Sequence, residues 1–350
     1  MFNNFYKGKK VLITGHTGFK GSWLTIWLNM LGAKVIGYAL DPKTKKDNFV
    51  LTHIAEEIKD YRGDIRDKEK VFDLFTKEKP EIVFHLAAQP LVIESYEKPV
   101  ETYATNIMGT VNILEAIRQT QSVQAGVIIT SDKCYENKEL TRGYREDEPM
   151  GGFDPYSSSK GAAELVINAY RHSYFAEENT CNIASTRAGN VIGGGDWSEN
   201  RIIPDSVRAF EENQPVFLRK PQATRPWQHV LEPLSGYLLL AEKLYNDKIY
   251  SQAWNFGPEE DSIQTVKELV TSFIKYYGKG QLEFDNKTYP HEANLLALDI
   301  TKAKTKLKWQ QVWDFENTVK YTAEWYRSYK QEKVREITLS QIQDYTRKWK

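Results

Sequence analysis

Ser131-Asp132-Lys133 and, a short way downstream, Tyr156-Ser157-Ser158-Ser159-Lys160 supply side chains suited to moving protons. Four residues apart on a helix, Tyr156 and Lys160 stand on one face, one turn from each other. An ammonium so placed is expected to draw a phenol down from a pKa of about 10 toward working pH, making the tyrosine a base for a hydroxyl proton. Removing that proton while a nicotinamide accepts hydride is alcohol oxidation. Upstream, Gly15-His16-Thr17-Gly18-Phe19-Lys20-Gly21 follows an apolar run, as a cofactor loop does. Each motif has an ordinary reading: glycines mark tight turns, tyrosine and lysine serve as packing and solvated charge, and strand ends collect polar residues. Their conjunction at domain-scale spacing favours chemistry.

The elements that must position these residues follow from the apolar pattern. Residues 10–14 read as a short buried strand, and Trp23, Leu24, Trp27, Leu28 and Leu31 recur at helical spacing up to Gly32. A second strand over 35–40 completes a βαβ unit. Further alternation is predicted from a helix over 67–77, a strand over 81–86, a helix over 103–118, a strand over 127–130, the tyrosine–lysine helix and a strand over 182–187. Strands alternating with amphipathic helices imply an α/β fold, a Rossmann-like doubly wound parallel sheet covered on both faces. Ligands bind beyond the carboxyl ends of such strands. The glycine loop, Leu86-Ala87-Ala88-Gln89 and Ser131-Asp132-Lys133 all follow strand ends and are expected to share one crevice.

After about residue 188 the alternation becomes irregular, with Gly193-Gly194-Gly195 and scattered prolines. Residues 1–188 are therefore expected to form the cofactor domain, with a returning segment around 229–257 that includes a strand at 253–256. Residues 189–350 are expected to form mainly a smaller, mixed α/β substrate domain. The last twenty residues are charged and end in Lys348-Trp349-Lys350, as a peripheral helix or a loosely held tail would.

The 350 residues exceed what one core usually needs. Lysine plus arginine and aspartate plus glutamate number 47 each, a zero net charge that argues against a nucleic-acid partner. No stretch approaches bilayer length, and Met1-Phe2-Asn3-Asn4-Phe5-Tyr6-Lys7-Gly8 lacks a signal-peptide core, so a cytoplasmic protein without membrane association is expected. Cys134 and Cys181 form neither a metal-spaced cluster nor a disulfide framework and read as two reduced thiols. No metal site is expected, and His229 and His291 read as structural. Arg201, Arg208, Arg219 and Arg225 read by default as surface charge. Arg225, among Pro226, Trp227 and His229, is the exception: a partly buried guanidinium there could chelate a diphosphate bidentately.

Taken together, the motifs resemble those of the CDP-glucose 4,6-dehydratases, a family within the extended short-chain dehydrogenase/reductase superfamily. The resemblance runs from about residue 8 to residue 326. It rests on the glycine loop through Ser22-Trp23-Leu24, His85 to Val92, Thr130 to Tyr135, Met150 to Tyr156, Gly193 to Trp197, and Arg225-Pro226-Trp227-Gln228-His229-Val230. The resemblance implies that Gly15, Gly18, Phe19 and Gly21 line the pyrophosphate of NAD, and that Asp64 and Ile65 hold its adenine. Leu86, Ala87 and Ala88 back the cofactor, and Tyr156 and Lys160 meet its nicotinamide ribose. Gln89, Ser131, Asn190 and Arg225 are implied to bind substrate, the last two at its diphosphate. Two departures stand out. Ile93-Glu94 occupies a place where relatives often carry a basic residue, and Asp41, the candidate ribose acid, comes two residues later than usual.

The implied reaction converts CDP-D-glucose to CDP-4-keto-6-deoxy-D-glucose and water. Tyr156 is implied to take the 4-hydroxyl proton as C4 gives up hydride, Ser131 to hold the 4-oxygen, and Asp132 to protonate the departing 6-hydroxyl. Relatives commonly carry a glutamate at the place of Lys133 to remove the C5 proton; here an amine is expected to do so. A sugar-nucleotide epimerase on the same scaffold and a non-catalytic NAD-binding scaffold are the alternatives. The helices over 103–118 and 156–174 resemble those of the family's intersubunit four-helix bundle, which implies a homodimer or homotetramer.

Overall fold

The computed structural model describes residues 2–177, 180–284, 296–331 and 333–349. Its central sheet has seven parallel strands: β1 (Lys10–Thr14), β2 (Lys34–Ala39), β3 (Lys59–Arg62), β4 (Ile82–His85), β5 (Ala125–Ile129), β6 (Asn182–Ala188) and a last strand, Ala253–Phe256. In space the order is Ala253–Phe256, β6, β5, β4, β1, β2, β3. The chain winds outward from β1 to β3 and then restarts at β4 on the other side of β1. That reversal opens a crevice above the carboxyl ends of β1 and β4.

Alternation along the strands sends their side chains into two apolar layers. Val11 and Ile13 of β1 pack with Trp23 and Trp27 of the helix Phe19–Met30 and with the helix Leu231–Asn246. Leu12 faces the other way, toward Val71, Leu74, Ile113, Ile117 and Ile167 on the helices Lys68–Glu78, Gly109–Gln119 and Pro155–Ser173. Residues Gly21 to Leu28 are buried all round, so the helix that opens the glycine loop is a rigid core element.

Three elements differ from the pattern reading. β3 was not anticipated, because Lys-Asp-Tyr-Arg is a charged edge strand without apolar alternation. The helix expected over 103–118 is built of Pro99–Tyr103, a π-helical turn over Ala104–Met108, and Gly109–Gln119. Within the returning segment, Ala253–Phe256 pairs with β6 as expected, whereas Gln228–His229 pairs with Val191–Ile192 outside the main sheet.

The C-terminal residues are a docked helix, Val334–Lys348, with Val334, Ile342 and Tyr345 buried. Its Tyr345 hydroxyl donates to Glu232 Oε2 at 2.7 Å. Two small pairings lie outside the main sheet: Thr224–Pro226 with Ile263–Thr265, antiparallel, and Val216–Leu218 with Leu282–Phe284, parallel. No described helix is long and apolar enough to cross a membrane.

Candidate active site

The glycine loop is bent by its own backbone. Gly15 has φ of 76°, and a Cβ there would come within 2.7 Å of the Ala87 amide nitrogen. A Cβ on Gly21 would strike the Gly15 carbonyl oxygen, so helix and loop can touch only through glycine. Gly18 differs: its Cβ would meet little, with one atom at 3.4 Å. Glycine at 18 is therefore not demanded by packing; it leaves room above the first turn of a helix. That turn carries no side-chain cap and no acidic residue, and its amides face an open cradle suited to a pyrophosphate. The fold thus fits a dinucleotide.

The rest of the cradle is braced by buried polar side chains. Thr14 Oγ1 lies 2.7 Å from His85 Nδ1 and accepts the Ala87 amide at 3.3 Å, while His85 Nε2 lies 3.2 Å from Thr110 Oγ1. Burial pushes His85 down to about 3, so it is neutral and structural. This brace fixes Leu86, Ala87 and Ala88 along the crevice; a single histidine at a strand end carried no sequence signal for it. At the far end, Asn112 Nδ2 donates to the Ile65 carbonyl at 2.9 Å and the Tyr38 hydroxyl to the Asp64 carbonyl at 3.1 Å. Burial alone would raise the Asp64 carboxyl, but hydrogen bonds from the Arg66 side chain and amide bring it below its usual value.

The proton-handling groups stand at the carboxyl end of β5. Ser131 caps the short helical turn Asp132–Cys134: its Oγ donates to Asp132 Oδ1 at 2.9 Å and accepts the Lys133 amide at 3.2 Å. Ser131 is also close enough to the Tyr156 phenol to act on its ionisation. Tyr156 sits in the first turn of the helix Pro155–Ser173, capped by Asp154 Oδ1 accepting the Ser157 amide at 2.9 Å. One turn on, Lys160 is buried, and so is Glu164, which pairs with Arg187 at 2.8 Å.

The electrostatics correct one expectation. Burial pushes the Tyr156 phenol up to about 12, with Ser131 and the charge of Arg201 opposing the rise. Burial lowers Lys160 itself to about 8, against Glu164 and Cys134. Desolvation thus outweighs the helical neighbour, and the cation nearest in effect is Arg201, which the sequence offered only as surface charge. Arg201 pairs with Asp196 at 2.9 Å, downstream of the triple glycine. Half-buried Lys20, from the glycine loop, joins the same cluster: burial and then Arg201 lower it to about 8, while Asp132 and Asp196 oppose. Asp132 is raised by burial, with Lys133, Ser131 and Lys20 opposing.

The proposed substrate residues fare unequally. Gln89 is turned inward: its Nε2 donates to the Leu91 carbonyl and Thr102 Oγ1, each at 3.0 Å, and its Oε1 accepts the Leu91 amide. It shapes the loop rather than presenting an amide to substrate. Asn190 and Arg225 are half-buried, and the Arg225 strand is brought in close: a Cβ on Gly189 would lie 3.3 Å from Asp132 Oδ2 and 3.4 Å from Pro226. Cys134 is fully buried and its thiol pushed up by burial, so it is inert. Burial holds His229 neutral, packed 4.7 Å from the Trp313 ring; His291 lies outside the described residues. No described group of three or more metal-ligating side chains occurs.

The comparisons agree with this geometry. A sequence-family model for GDP-mannose 4,6 dehydratase matches residues 12–322. A CDP-glucose 4,6-dehydratase of Salmonella typhimurium is 50% identical over 332 residues, covering 93% of this chain and 92% of the relative. The Thermus thermophilus UDP-glucose 4-epimerase, solved with NAD, superposes with a TM-score of 0.78 at 25% identity, over 91% of this chain and 99% of the other. The Bacillus anthracis dTDP-glucose 4,6-dehydratase, also solved with NAD, gives 0.77 at 22% identity, over 93% and 98%. With its glycine cradle, its buried Tyr156, Ser131 and Asp132 and these matches, the chain belongs to the GDP-mannose 4,6 dehydratase family of nucleotide-sugar dehydratases.

Proposed function

We propose that the protein dehydrates CDP-D-glucose to CDP-4-keto-6-deoxy-D-glucose, a hydro-lyase step of deoxysugar biosynthesis. The observation that carries the reading is the buried group of Tyr156, Ser131 and Asp132 beside the glycine cradle, in which Ser131 donates to Asp132. Gly15, Gly18, Phe19 and Gly21 would hold NAD, which when bound would supply the hydride acceptor for C4. Tyr156 takes the 4-hydroxyl proton, and Ser131 holds the 4-oxygen. A ketone at C4 acidifies the C5 proton, whose removal we assign to Lys133; a proton returns to C5 as hydride is restored at C6. Asp132, kept protonatable by burial, gives its proton to the departing 6-hydroxyl. A pure 4-epimerase has no use for such an acid, which favours dehydration over epimerisation.

We assign residues 1–188 mainly to the dinucleotide and 189–350 mainly to the sugar nucleotide, with Asn190 and Arg225 at the diphosphate. The CDP end supplies remote binding energy that orients the hexose. We further propose a cytoplasmic homodimer or homotetramer. Its interface is the face of the helices between residues 92 and 119 and of Pro155–Ser173, where Tyr96, Val100, Met108 and Leu165 are exposed. Incubation with CDP-D-glucose should generate a 4-keto sugar chromophore, with far less from UDP-, dTDP- or GDP-glucose run beside it. A 4-epimer without a keto product would identify an epimerase, and no product from any of the four would overturn the enzymatic reading.

A further inference from the structure

β2 ends without an acidic side chain: Tyr38-Ala39-Leu40 runs on to Asp41, which lies beyond the strand with its side chain 86% exposed. In dinucleotide-binding sheets a carboxylate near this point takes the ribose hydroxyls, and an arginine takes a 2′-phosphate. The β2–β3 register sets Ala39 opposite Arg62, so the Arg62 side chain leaves the sheet on the face that residue 39 would use. Its guanidinium lies 5.1 Å from the centre of the Phe49 ring, and Nη1 lies 3.5 Å from Nε2 of His16 in the glycine loop. Arg62 therefore stands at the adenosine end of the cradle.

The guanidinium is clamped from two sides. Its Nε lies 3.3 Å from Asp41 Oδ1, and its Nη2 donates to Asp60 Oδ2 at 2.8 Å. Asp60 is itself held, its Oδ1 2.8 Å from His16 Nε2, whereas Asp41 is exposed. Burial lowers His16, leaving it neutral at neutral pH. The cluster then holds one positive and two negative charges. A 2′-phosphate, carrying between one and two negative charges, meets a guanidinium already taken and a carboxylate beside it; ribose hydroxyls meet two acceptors.

We propose that the Asp41–Arg62 pair is the specificity determinant that makes this protein take NAD and refuse NADP, with Arg62 as a latent 2′-phosphate site masked by Asp41. The inference rests on the NAD reading above. Calorimetric titration of NAD and of NADP into the wild type, Asp41→Asn and the double variant Asp41→Asn/Arg62→Leu tests it without any turnover. The expected result is NAD preference in the wild type. Freeing one charge-assisted contact should raise NADP affinity relative to NAD by about tenfold in Asp41→Asn. That gain should vanish in the double variant. Asp41 is exposed, so its substitution leaves the fold intact. A ratio unchanged in Asp41→Asn, or a gain that survives loss of Arg62, overturns the inference while leaving the NAD reading standing. Wild-type protein that binds neither dinucleotide, or prefers NADP, overturns both.

Discussion

Tyr156 is unusual for a base because the folded pocket pushes its phenol up rather than down. Burial favours the neutral phenol over a pre-formed phenolate. Tyr156→Phe keeps the ring packing and removes the acceptor. Turnover should fall by about a hundredfold or more, with the fold and dinucleotide binding retained; near-normal kcat/KM would remove Tyr156 from its role. Lys133 flanks Asp132 from the next position in the chain. Lys133→Met should still permit oxidation at C4, seen as absorbance of the reduced cofactor, while exchange of the C5 proton with heavy water disappears. Deuterium entering C5 at the wild-type rate would assign that proton to another group.

Helices and loops are held to the sheet by buried polar nodes, and Glu232 is one with a pH signature near neutrality. It lies fully buried in the helix Leu231–Asn246 and accepts the Trp313 amide at 2.8 Å, as well as the Tyr345 hydroxyl of the C-terminal helix. Burial raises its carboxyl from 4.5 to about 8, against those donors. A folded-state pKa above the unfolded value means that the folded protein binds the extra proton. Stability is therefore fullest below the unfolded value of 4.5 and is lost as pH climbs through about 8. Glu232→Gln keeps an acceptor without the charge and should flatten the fall of Tm across that window. An equal slope in the variant would show that the C-terminal helix is not clamped by a titrating carboxyl.

The whole molecule leaves an apolar face uncovered. Val100 is 81% exposed on Pro99–Tyr103, which runs on through the π-helical turn to the helix of the cradle's Asn112, and Leu165 is 62% exposed on Pro155–Ser173, the helix of Tyr156 itself. An apolar surface of this kind is normally buried against another molecule. Light scattering at micromolar concentration should return at least twice the chain mass, and Val100→Glu should shift it toward the single chain. A monomeric wild type would remove the interface. Since the same helices position the base, dissociation should also lower activity.

The local patterns determined much of this. Apolar runs separated by glycine turns specify strand, helix and strand again, because a period of two or of 3.6 is written in the residues themselves; β1, β5 and the helix Phe19–Met30 were legible for that reason. The glycine loop and the pairing of Tyr156 with Lys160 were legible too, since their geometry depends only on near neighbours. What the tertiary structure decided is everything carried by distance in the chain. Arg201 reads as ordinary surface charge until folding gathers it, with Lys20 of the glycine loop, beside Asp132 and Tyr156. Gln89 reads as a ligand until Thr102 and Leu91 consume its amide. β3 has no apolar signal, yet pairing with β2 makes it a strand and sets Arg62 opposite Ala39. The pKa of Tyr156 shows the same divide. Sequence places a lysine one turn away, but burial, a property of the packed whole, outweighs that neighbour and sets the phenol's charge state.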